Sequence, residues 1–571
     1  MKTLLIIVSI IVLWIIVVTF LHVLRHQYEL PKVADVVIIG SGPGGCVMAR
    51  RLHDKYPDLK IVILERGKDY RNDRKVYRSE AALEVAYSEP YSEVIPSDFP
   101  GVTCSAATMV GGGSQHNYGL VVKGSEHFHR TKWIPQFGSS EAEFKLLREK
   151  IEARMDITPL PTSINLFARA LPALGSLLSK GMEEIKQGID VVAHIGPLRA
   201  NEELSKWLSS SMRKETDARL VDDYNASHHQ DNLSGTGEVN VVCHTPRLFV
   251  DKVLGIRAGV ARGYLPLNDE SNYRKVEGAE VSSISIAADQ RHGYNETPLN
   301  PDSFLIRLKD GRHILSRRKV ILSAGALYSP LILMRSGLGG DQVGQNLMNH
   351  YGCTMVLAIK SHNPDFSSGP LAFLSSGHSR RWEIVTSGST LTNLDFLSAQ
   401  GIDVAKYQAK GYNFITFLGW LLDPKSRGSV ELNPGQKDVP VISLKMFESV
   451  ADQHEVIDLM RYFRDVQILL THQIGNPVCE KIKLLFPQKD VFQRDDPTEL
   501  LATAKIGISI TDHYSGTCAY GKVLNSDFSL KNQKNIHVVD ASAFPSIPDG
   551  NTEYPTLLVA ELAATRIKCG D

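Results

Sequence analysis

Residues 34–39 read ADVVII and run directly into GSGPGG at residues 40–45. The β-branched run predicts a strand buried in a parallel sheet, and the glycines have the spacing G-x-G-x-x-G. The next eleven residues have helical spacing, and a second apolar run over residues 60–64 ends at Glu65, 20 residues after the last motif glycine. Strand, turn, helix, strand and acid in this order predict a dinucleotide-binding unit.

Each part of this unit has its own physical role. Gly40 permits the tight turn, Gly42 lets a pyrophosphate approach the backbone, and Gly45 allows close packing of helix on strand. The helix N-terminus offers free N–H groups to the phosphates, and Glu65 would accept hydrogen bonds from the adenosine ribose. The motif by itself does not distinguish FAD from NAD.

Four separated segments decide that question. They cover residues 110–117 (VGGGSQHN), 325–339 (GALYSPLILMRSGLG), 424–430 (PKSRGSV) and 513–556. Their order and spacing resemble the glucose–methanol–choline (GMC) oxidoreductases, flavoenzymes that oxidise alcohols with FAD. The resemblance extends over about residues 34–571. It implies FAD as the cofactor and a small-molecule alcohol as the substrate, with an electron acceptor that the sequence does not identify.

The resemblance also implies the fold. We expect an α/β chain in which a doubly wound, Rossmann-like FAD-binding domain is interleaved with an antiparallel-sheet substrate domain. Strand candidates at residues 412–421, 428–432 and 440–446 would form the sheet over the flavin, and residues 272–286 look like a pair of strands. The expected divisions are 1–31 (anchor), 32–150 and 241–350 (FAD-binding parts), 151–240 (entrance segments), 351–500 (substrate domain) and 501–571 (completion of the FAD domain and active site).

Further cofactor contacts are carried over from the family onto matching positions. The glycine-rich loop would lie along the flavin, a later strand would meet the adenine edge, and the carboxyl-terminal region would contact the pyrophosphate, the ribityl chain and the flavin ring. The residues concerned are Gly111, Gly112, Ser114, Asn117, Val281, Asp540, Ala541, Thr552, Pro555 and Thr556.

Two residues are expected to carry the chemistry. His513, in an H-x-x-G-T stretch, stands where the family has its active-site histidine and would act as general base while hydride leaves the substrate carbon for flavin N5. Asn551 stands where family members have His or Asn and would position the substrate oxygen. The alternative interpretations are a structural histidine and a turn residue.

His116 ends the glycine-rich loop, directly before Asn117. Some relatives, such as choline oxidase, bond a histidine at this place covalently to the flavin 8α-methyl group. We therefore predict a covalent link through His116; the alternative is a histidine packed noncovalently beside the ring.

Residues 3–24 contain 22 positions without Lys, Arg, Asp or Glu. A helix of this length spans roughly 30 Å of hydrocarbon, and no Ala-x-Ala cleavage pattern follows. We predict an uncleaved single-pass membrane anchor, with a cleaved signal peptide as the alternative. Positive charges flank both sides about equally, so the orientation stays open.

Composition excludes several other classes of protein. Lys plus Arg and Asp plus Glu are 63 each, and such a balance argues against a nucleic-acid binder. Seven scattered cysteines without CxxC indicate neither a metal site nor a disulfide framework. The remaining alternatives are a flavin-dependent lyase or photodecarboxylase, a non-enzymatic membrane flavoprotein, and, least favoured, a nicotinamide enzyme.

Overall fold

The computed structural model of the chain describes residues 30–77, 82–155, 157–159, 219–220, 241–243, 247–249, 257–265, 272–287, 303–361, 370–375, 382–387, 393–471 and 479–569. The predicted anchor at residues 3–24 lies outside these ranges. Within them, no helix combines the length and the apolar character that a membrane crossing requires.

The strands within these ranges follow in chain order. They are β1 (Val33–Ile39), β2 (Ile61–Leu64), β3 (Ser92–Pro96), β4 (Thr103–Ala107), β5 (Ile157–Pro159), β6 (Arg219–Leu220), β7 (Val241–Cys243), β8 (Arg247–Phe249), β9 (Tyr273–Val276), β10 (Val281–Ile286), β11 (Phe304–Leu308), β12 (His313–Leu322), β13 (Gln345–Leu347), β14 (Tyr351–Ser361), β15 (Pro370–Ser375), β16 (Trp382–Ser387), β17 (Asn413–Leu421), β18 (Gly428–Leu432), β19 (Pro440–Ser443), β20 (Cys479–Phe486), β21 (Ile508–Ile510), β22 (Ser529–Leu530) and β23 (Gln533–Val538).

The helices of the same ranges are α1 (Pro43–Lys55), α2 (Arg74–Tyr77), α3 (Ala82–Ala86), α4 (Glu126–Phe128), α5 (Ile134–Phe137), α6 (Glu141–Glu152), α7 (Val260–Tyr264), α8 (Gly325–Arg335), α9 (Leu394–Ala399), α10 (Val404–Ala409), α11 (Val450–Thr471), α12 (Lys489–Arg494), α13 (Pro497–Ile506) and α14 (Glu553–Arg566). Short 3₁₀ turns cover Gly112–Gln115 and Ala541–Ala543, and a π-helical turn covers His129–Trp133.

The dinucleotide half is built on parallel strands in the order β23–β12–β1–β2–β9. In β1 the four residues Val36, Val37, Ile38 and Ile39 are all buried. A strand covered on both faces needs apolar side chains at successive positions, and this explains the continuous β-branched run. The predicted α/β fold with a parallel sheet is confirmed.

Antiparallel strands form the other half, in the order β20–β14–β17–β16–β15–β7, with β21 also beside β14. The prediction that residues 412–421, 428–432 and 440–446 share one sheet is wrong. Only β17 belongs to the large sheet; β18 and β19 join β13 in a separate three-stranded sheet.

The prediction of a strand pair at residues 272–286 is also wrong. Both strands exist, but β9 pairs with β2 and β10 pairs with β11, in different parts of the sheet. The short connection between them resembles a hairpin turn in sequence. Tertiary pairing with strands far away in the chain overrides that local pattern.

The last helix packs on the first. The Arg51 guanidinium of α1 forms a two-pronged ion pair with Glu561 of α14, with its Nη2 2.7 Å from Oε1. The Tyr264 hydroxyl donates to the same carboxylate at 2.8 Å. Glu561 is buried, so these partners offset the cost of removing its charge from water. The contact therefore holds α14 against α1, the helix of the dinucleotide-binding unit.

Candidate active site

A cavity of about 1040 Å³ lies between the two halves, and it brings together most of the residues selected from sequence. Those that line it are Gly40, Gly42, Glu65, Gly112, Ser114, His116, Asn117, Val281, His513, Asp540, Ala541, Asn551, Thr552 and Thr556. Three of the selected residues do not line it: Gly45, Gly111 and Pro555. The volume is at the upper end of that of ordinary ligand pockets, as a large cofactor with a substrate requires.

The dinucleotide end of the cavity is formed by the turn before α1. Gly42 is the N-cap of this helix and no side chain caps it, so backbone N–H groups are left for a ligand. A Cβ on Gly42 would meet only the Ser323 carbonyl oxygen, at 3.8 Å, so this position is open toward the cavity. Gly40 has φ +95°, in the left-handed region that glycine tolerates best. These features fit a pyrophosphate.

Close packing of α1 depends on two glycines, Gly45, which the sequence reasoning selected, and Gly44, which it passed over. A Cβ on Gly44 would lie 1.9 Å from the carbonyl oxygen of Val539, just after β23. A Cβ on Gly45 would likewise lie 2.0 Å from the Gly40 carbonyl oxygen. Gly44 occupies a variable position of the motif, and the strand that it contacts is almost 500 residues away in the sequence, so no local signal marked it.

Glu65 is buried beside the turn. Its Oε2 accepts from the Ser41 backbone N–H at 3.0 Å and from the Ser41 hydroxyl at 2.6 Å, and its Oε1 accepts from the Gly67 N–H at 2.9 Å. Each carboxylate oxygen has two lone pairs, so Oε1 can still accept from a ribose hydroxyl. The carboxylate therefore both fixes the turn and fits the predicted role.

Asp540 lines the cavity, and its carboxylate accepts hydrogen bonds from groups of the protein itself. Its Oδ2 accepts from the Gly325 N–H at 2.8 Å and the Ser329 hydroxyl at 2.6 Å. Its Oδ1 accepts from the N–H and the hydroxyl of Ser542, at 2.8 and 2.5 Å. Four donors saturate the carboxylate, so Asp540 fixes the start of α8 beside the cavity.

The glycine-rich loop is fixed to the first turn and to the carboxyl terminus. The Gly111 N–H donates to the Ser41 carbonyl oxygen at 3.0 Å. Farther along the loop, the Asn117 side chain accepts from Arg257 Nη1 at 2.8 Å and donates to Glu553 Oε2. The sequence reasoning missed both of these buried partners, because each lies in a different part of the chain.

Glu553 begins α14, whose N-terminus faces the cavity without a side-chain cap. Burial raises the pKa of this carboxyl to about 7, against the opposing effects of Asn117 and Arg257. Its Oε1 has no hydrogen-bond partner among the described residues. Free N–H groups at this end would favour electron-rich atoms of a bound ring system.

His116 packs behind the glycine-rich loop. Its Nδ1 lies 2.9 Å from the Ser92 hydroxyl oxygen. Burial, and to a smaller extent the positive charge of Arg257, lower the pKa of the imidazole to about 4. The ring is therefore neutral at physiological pH, and one of its nitrogens retains a lone pair.

At the substrate end, His513 contacts a second histidine that the sequence reasoning missed. The Nδ1 atoms of His513 and His350 are 2.8 Å apart, and His350 Nε2 lies 3.0 Å from the Pro548 carbonyl oxygen. Burial lowers the pKa of His350 to about 4. Burial first, and the neighbouring His350 second, hold the pKa of His513 well below its usual value. Both rings are neutral at pH 7.

The contact with the Pro548 carbonyl oxygen favours one arrangement of protons in the neutral pair. A carbonyl oxygen can only accept, so His350 carries its proton on Nε2 and offers a lone pair at Nδ1. His513 must then donate from its own Nδ1, and its Nε2 keeps a lone pair. The geometry thus leaves His513 with the free nitrogen of a proton acceptor.

Two asparagines lie near the histidine pair, one that holds His513 and one that lines the cavity. Asn349 Oδ1 accepts from the His513 backbone N–H at 2.8 Å and fixes the position of the histidine. Asn551 lines the cavity, and its Oδ1 has no hydrogen-bond partner among the described residues. An orphaned amide oxygen in a cavity can accept a hydrogen bond from a ligand.

Asp512 precedes His513, but its carboxylate is occupied. Tyr87 and Tyr514 donate their hydroxyls to it at 2.7 and 2.6 Å, and the Ser105 N–H donates at 3.3 Å. Burial raises the pKa of this carboxyl. Asp512 therefore does not offer a free negative charge to the cavity.

Similar proteins cover nearly the whole chain. A model of the GMC oxidoreductase N-terminal part matches residues 34–352, and one of the C-terminal part matches residues 424–560. Pyranose dehydrogenase 3 of Leucoagaricus meleagris is 22% identical, over 95% of this chain and 94% of its own length. Oxygen-dependent choline dehydrogenase of Chromohalobacter salexigens is 24% identical, over 94% of both chains.

Solved structures share the fold. Pyridoxine 4-oxidase from Mesorbium loti superposes with a TM-score of 0.67 at 16% identity, covering 93% of this chain and 98% of its own. Formate oxidase of Aspergillus oryzae, studied for its FAD modification, gives a TM-score of 0.67 at 17% identity, with coverage of 94% and 98%.

Proposed function

Because the chain belongs to the GMC oxidoreductase family, we propose that it oxidises the CH–OH group of an alcohol, with His513 as general base. Its cofactor is FAD, which accepts hydride from the substrate carbon when bound. The residues suited to hold the cofactor are the open turn at Gly42, the carboxylate of Glu65 and the uncapped start of α14.

The His513–His350 pair is the observation that carries this proposal. An alcohol loses a proton from oxygen as hydride leaves carbon, so the site needs a base that is unprotonated at working pH. His513 meets this need because its pKa is depressed and its free nitrogen is Nε2. His350 acts through His513, as a positioning residue that selects the tautomer.

Asn551 would hold the substrate oxygen beside this base. Its amide can donate one hydrogen bond to the alcohol oxygen, which fixes the reacting carbon without taking part in proton transfer. The position of Asn551 in the cavity wall supports this role.

The decisive experiment is anaerobic mixing of the purified holoprotein with a panel of primary alcohols in the dark. We expect loss of the oxidised flavin absorbance with at least one alcohol and formation of the matching aldehyde. A lyase or a photodecarboxylase would leave the flavin oxidised in the dark, and so would a non-enzymatic flavoprotein.

We also propose that residues 3–24 hold the protein on a membrane. The support is their 22 uncharged positions and the missing cleavage pattern. Extraction by detergent, but not by alkaline carbonate, is the expected behaviour.

A further inference from the structure

One face of the substrate sheet forms a wall that leads away from the histidine pair. Side chains alternate along a strand, so positions two apart share a face. In β14, Thr354 and Val356 face the cavity. The odd positions Cys353, Met355 and Leu357 pack into the core on the other side.

The neighbouring strand continues this wall. Three alternate residues of β17 line the cavity, and each lies opposite a residue of β14: Trp420 opposite Gly352, Leu418 opposite Thr354, and Thr416 opposite Val356. Since β14 begins directly after His350, whose Nδ1 lies 2.8 Å from His513 Nδ1, the wall starts at the histidine pair.

The outer end of the wall is also apolar. Val356 pairs with Phe486 of β20, and the Phe486 ring lies 5.0 Å from the Phe396 ring, centroid to centroid. Phe396 and Ile506 line the cavity, and Ile506 is 55% exposed. From His350 to Val356 is six residues, about 20 Å of extended strand. The wall is therefore a long apolar path from the base to the surface.

Several polar groups beside this path are engaged by the protein, and the Nζ of Lys505, which also lines the cavity, lies 5.8 Å from the centroid of the Phe447 ring. The Trp420 indole N–H donates to the Ser509 hydroxyl at 2.8 Å. Asn393 caps α9, with its Oδ1 accepting from the Phe396 N–H at 2.9 Å. Asp512 is held by three donors. Among the described residues of the wall, two threonine hydroxyls are the polar side-chain groups on the sheet face.

The two aromatic rings of this path, Trp420 and Phe396, do not form a cage for a quaternary ammonium group. Its usual site is a cage of aromatic rings, each within about 6 Å of the cation. Trp420 lies at the inner end of the path, and Phe396 lies at the outer end. The corresponding positions of β14, residues 352 and 356, are about 13 Å apart along the strand, so the two rings do not close around one cation.

From these observations we infer that the substrates are primary alcohols with an extended apolar body. The hydroxyl end lies at His513 and Asn551, and the body lies along Leu418 and Val356 toward Phe396. This inference rests on the proposed alcohol oxidation and adds the substrate class to it.

The test measures flavin reduction by butanol, hexanol and octanol, with choline and glucose alongside. Each added methylene is expected to raise kcat/KM about fourfold, the value for moving one CH₂ out of water. A better reaction with choline or glucose than with octanol would overturn the substrate class and leave alcohol oxidation standing. So would rates that do not depend on chain length.

Variants of Leu418 test whether the dependence of kcat/KM on chain length arises at this wall. Leu418→Ala and Leu418→Asn should each lower kcat/KM for octanol about tenfold while changing that for butanol much less. Val441→Asn is the matched control, since Val441 is 44% exposed and lies outside the cavity wall. Equal losses for both alcohols in the Leu418→Ala variant would contradict the path.

A tertiary alcohol separates the two proposals, because its carbinol carbon has no hydrogen to transfer. Binding of 2-methyl-2-decanol, followed by the shift of the flavin spectrum, should be weakened by Leu418→Asn and not by Val441→Asn. If that pattern appears while no primary alcohol reduces the flavin, the apolar path stands and the proposed oxidation fails. If the tertiary alcohol does not bind, the path is wrong.

Discussion

Replacing His350 by leucine tests the catalytic geometry most directly. The change removes His350 Nδ1, which lies 2.8 Å from His513 Nδ1 and accepts its hydrogen bond. His350 is fully buried, so no water replaces the lost acceptor. His513 becomes positively charged as it takes the proton, and a hydrogen bond from a charged group contributes about 1.5–3 kcal/mol, so its loss lowers the rate by up to about 150-fold. A switch of His513 to the other tautomer would place a proton on Nε2 and also slow the reaction. The loss cannot exceed that of removing the base itself, about 10²–10⁴-fold.

The assay is anaerobic flavin reduction followed by stopped flow across a pH series. We expect kcat to fall in His350→Leu with KM and flavin content unchanged, and His350→Gln to recover part of the rate because its amide oxygen can accept the same hydrogen bond. In the unmodified protein the rate should be level above pH 6.5, the ordinary pKa of histidine, since His513 is already deprotonated there. A rate that still rises through neutral pH, or a His350→Leu variant with full activity, would refute the neutral pair.

Four further outcomes follow from the site. His513→Ala should retain FAD and lose about 10²–10⁴-fold in flavin reduction, whereas Asn551→Ala should lose less; equal reduction rates in His513→Ala and the unmodified protein would mean that another group is the base. Gly42→Leu should fold, with an unchanged melting temperature, but contain little flavin, because its side chain projects into the cavity; normal flavin content would show that the pyrophosphate lies elsewhere. Acid precipitation should pellet yellow colour with the unmodified protein and not with His116→Ala; a colourless pellet from the unmodified protein rules out the covalent link. Amino-terminal sequencing of the mature protein should read through residues 3–24, whereas a start beyond them would indicate a cleaved signal.

The sequence was sufficient where function depends on contiguous residues. The β1–α1–β2 unit is such a case, because turn, helix start and buried strands are all encoded within about 30 residues. His513 belongs to a short motif and lines the cavity, whereas its role as general base stays a prediction.

Residues that act across strands were not found. His350 lies 163 positions before His513, and the antiparallel pairing of β14 with β21, together with the bridge between Met348 and Ser515, brings the two together. Arg257 and Glu553 form hydrogen bonds with the Asn117 side chain, and the three residues come from distant segments of the chain. Strand pairing was misjudged at residues 272–286 for the same reason: a local pattern predicts a strand but does not specify its neighbour.

The ion pair between Arg51 and Glu561 joins residues 510 positions apart in the chain. Contacts of such high sequence separation form late, because a long loop must close before they contribute stability. During synthesis, the first dinucleotide-binding strands leave the ribosome long before β23 and α14, which complete their sheet and cover their helix. The order of the chain therefore delays completion of the dinucleotide-binding sheet until β23 has been synthesised, and until then the apolar strands of the first unit are exposed to aggregation or to chaperones.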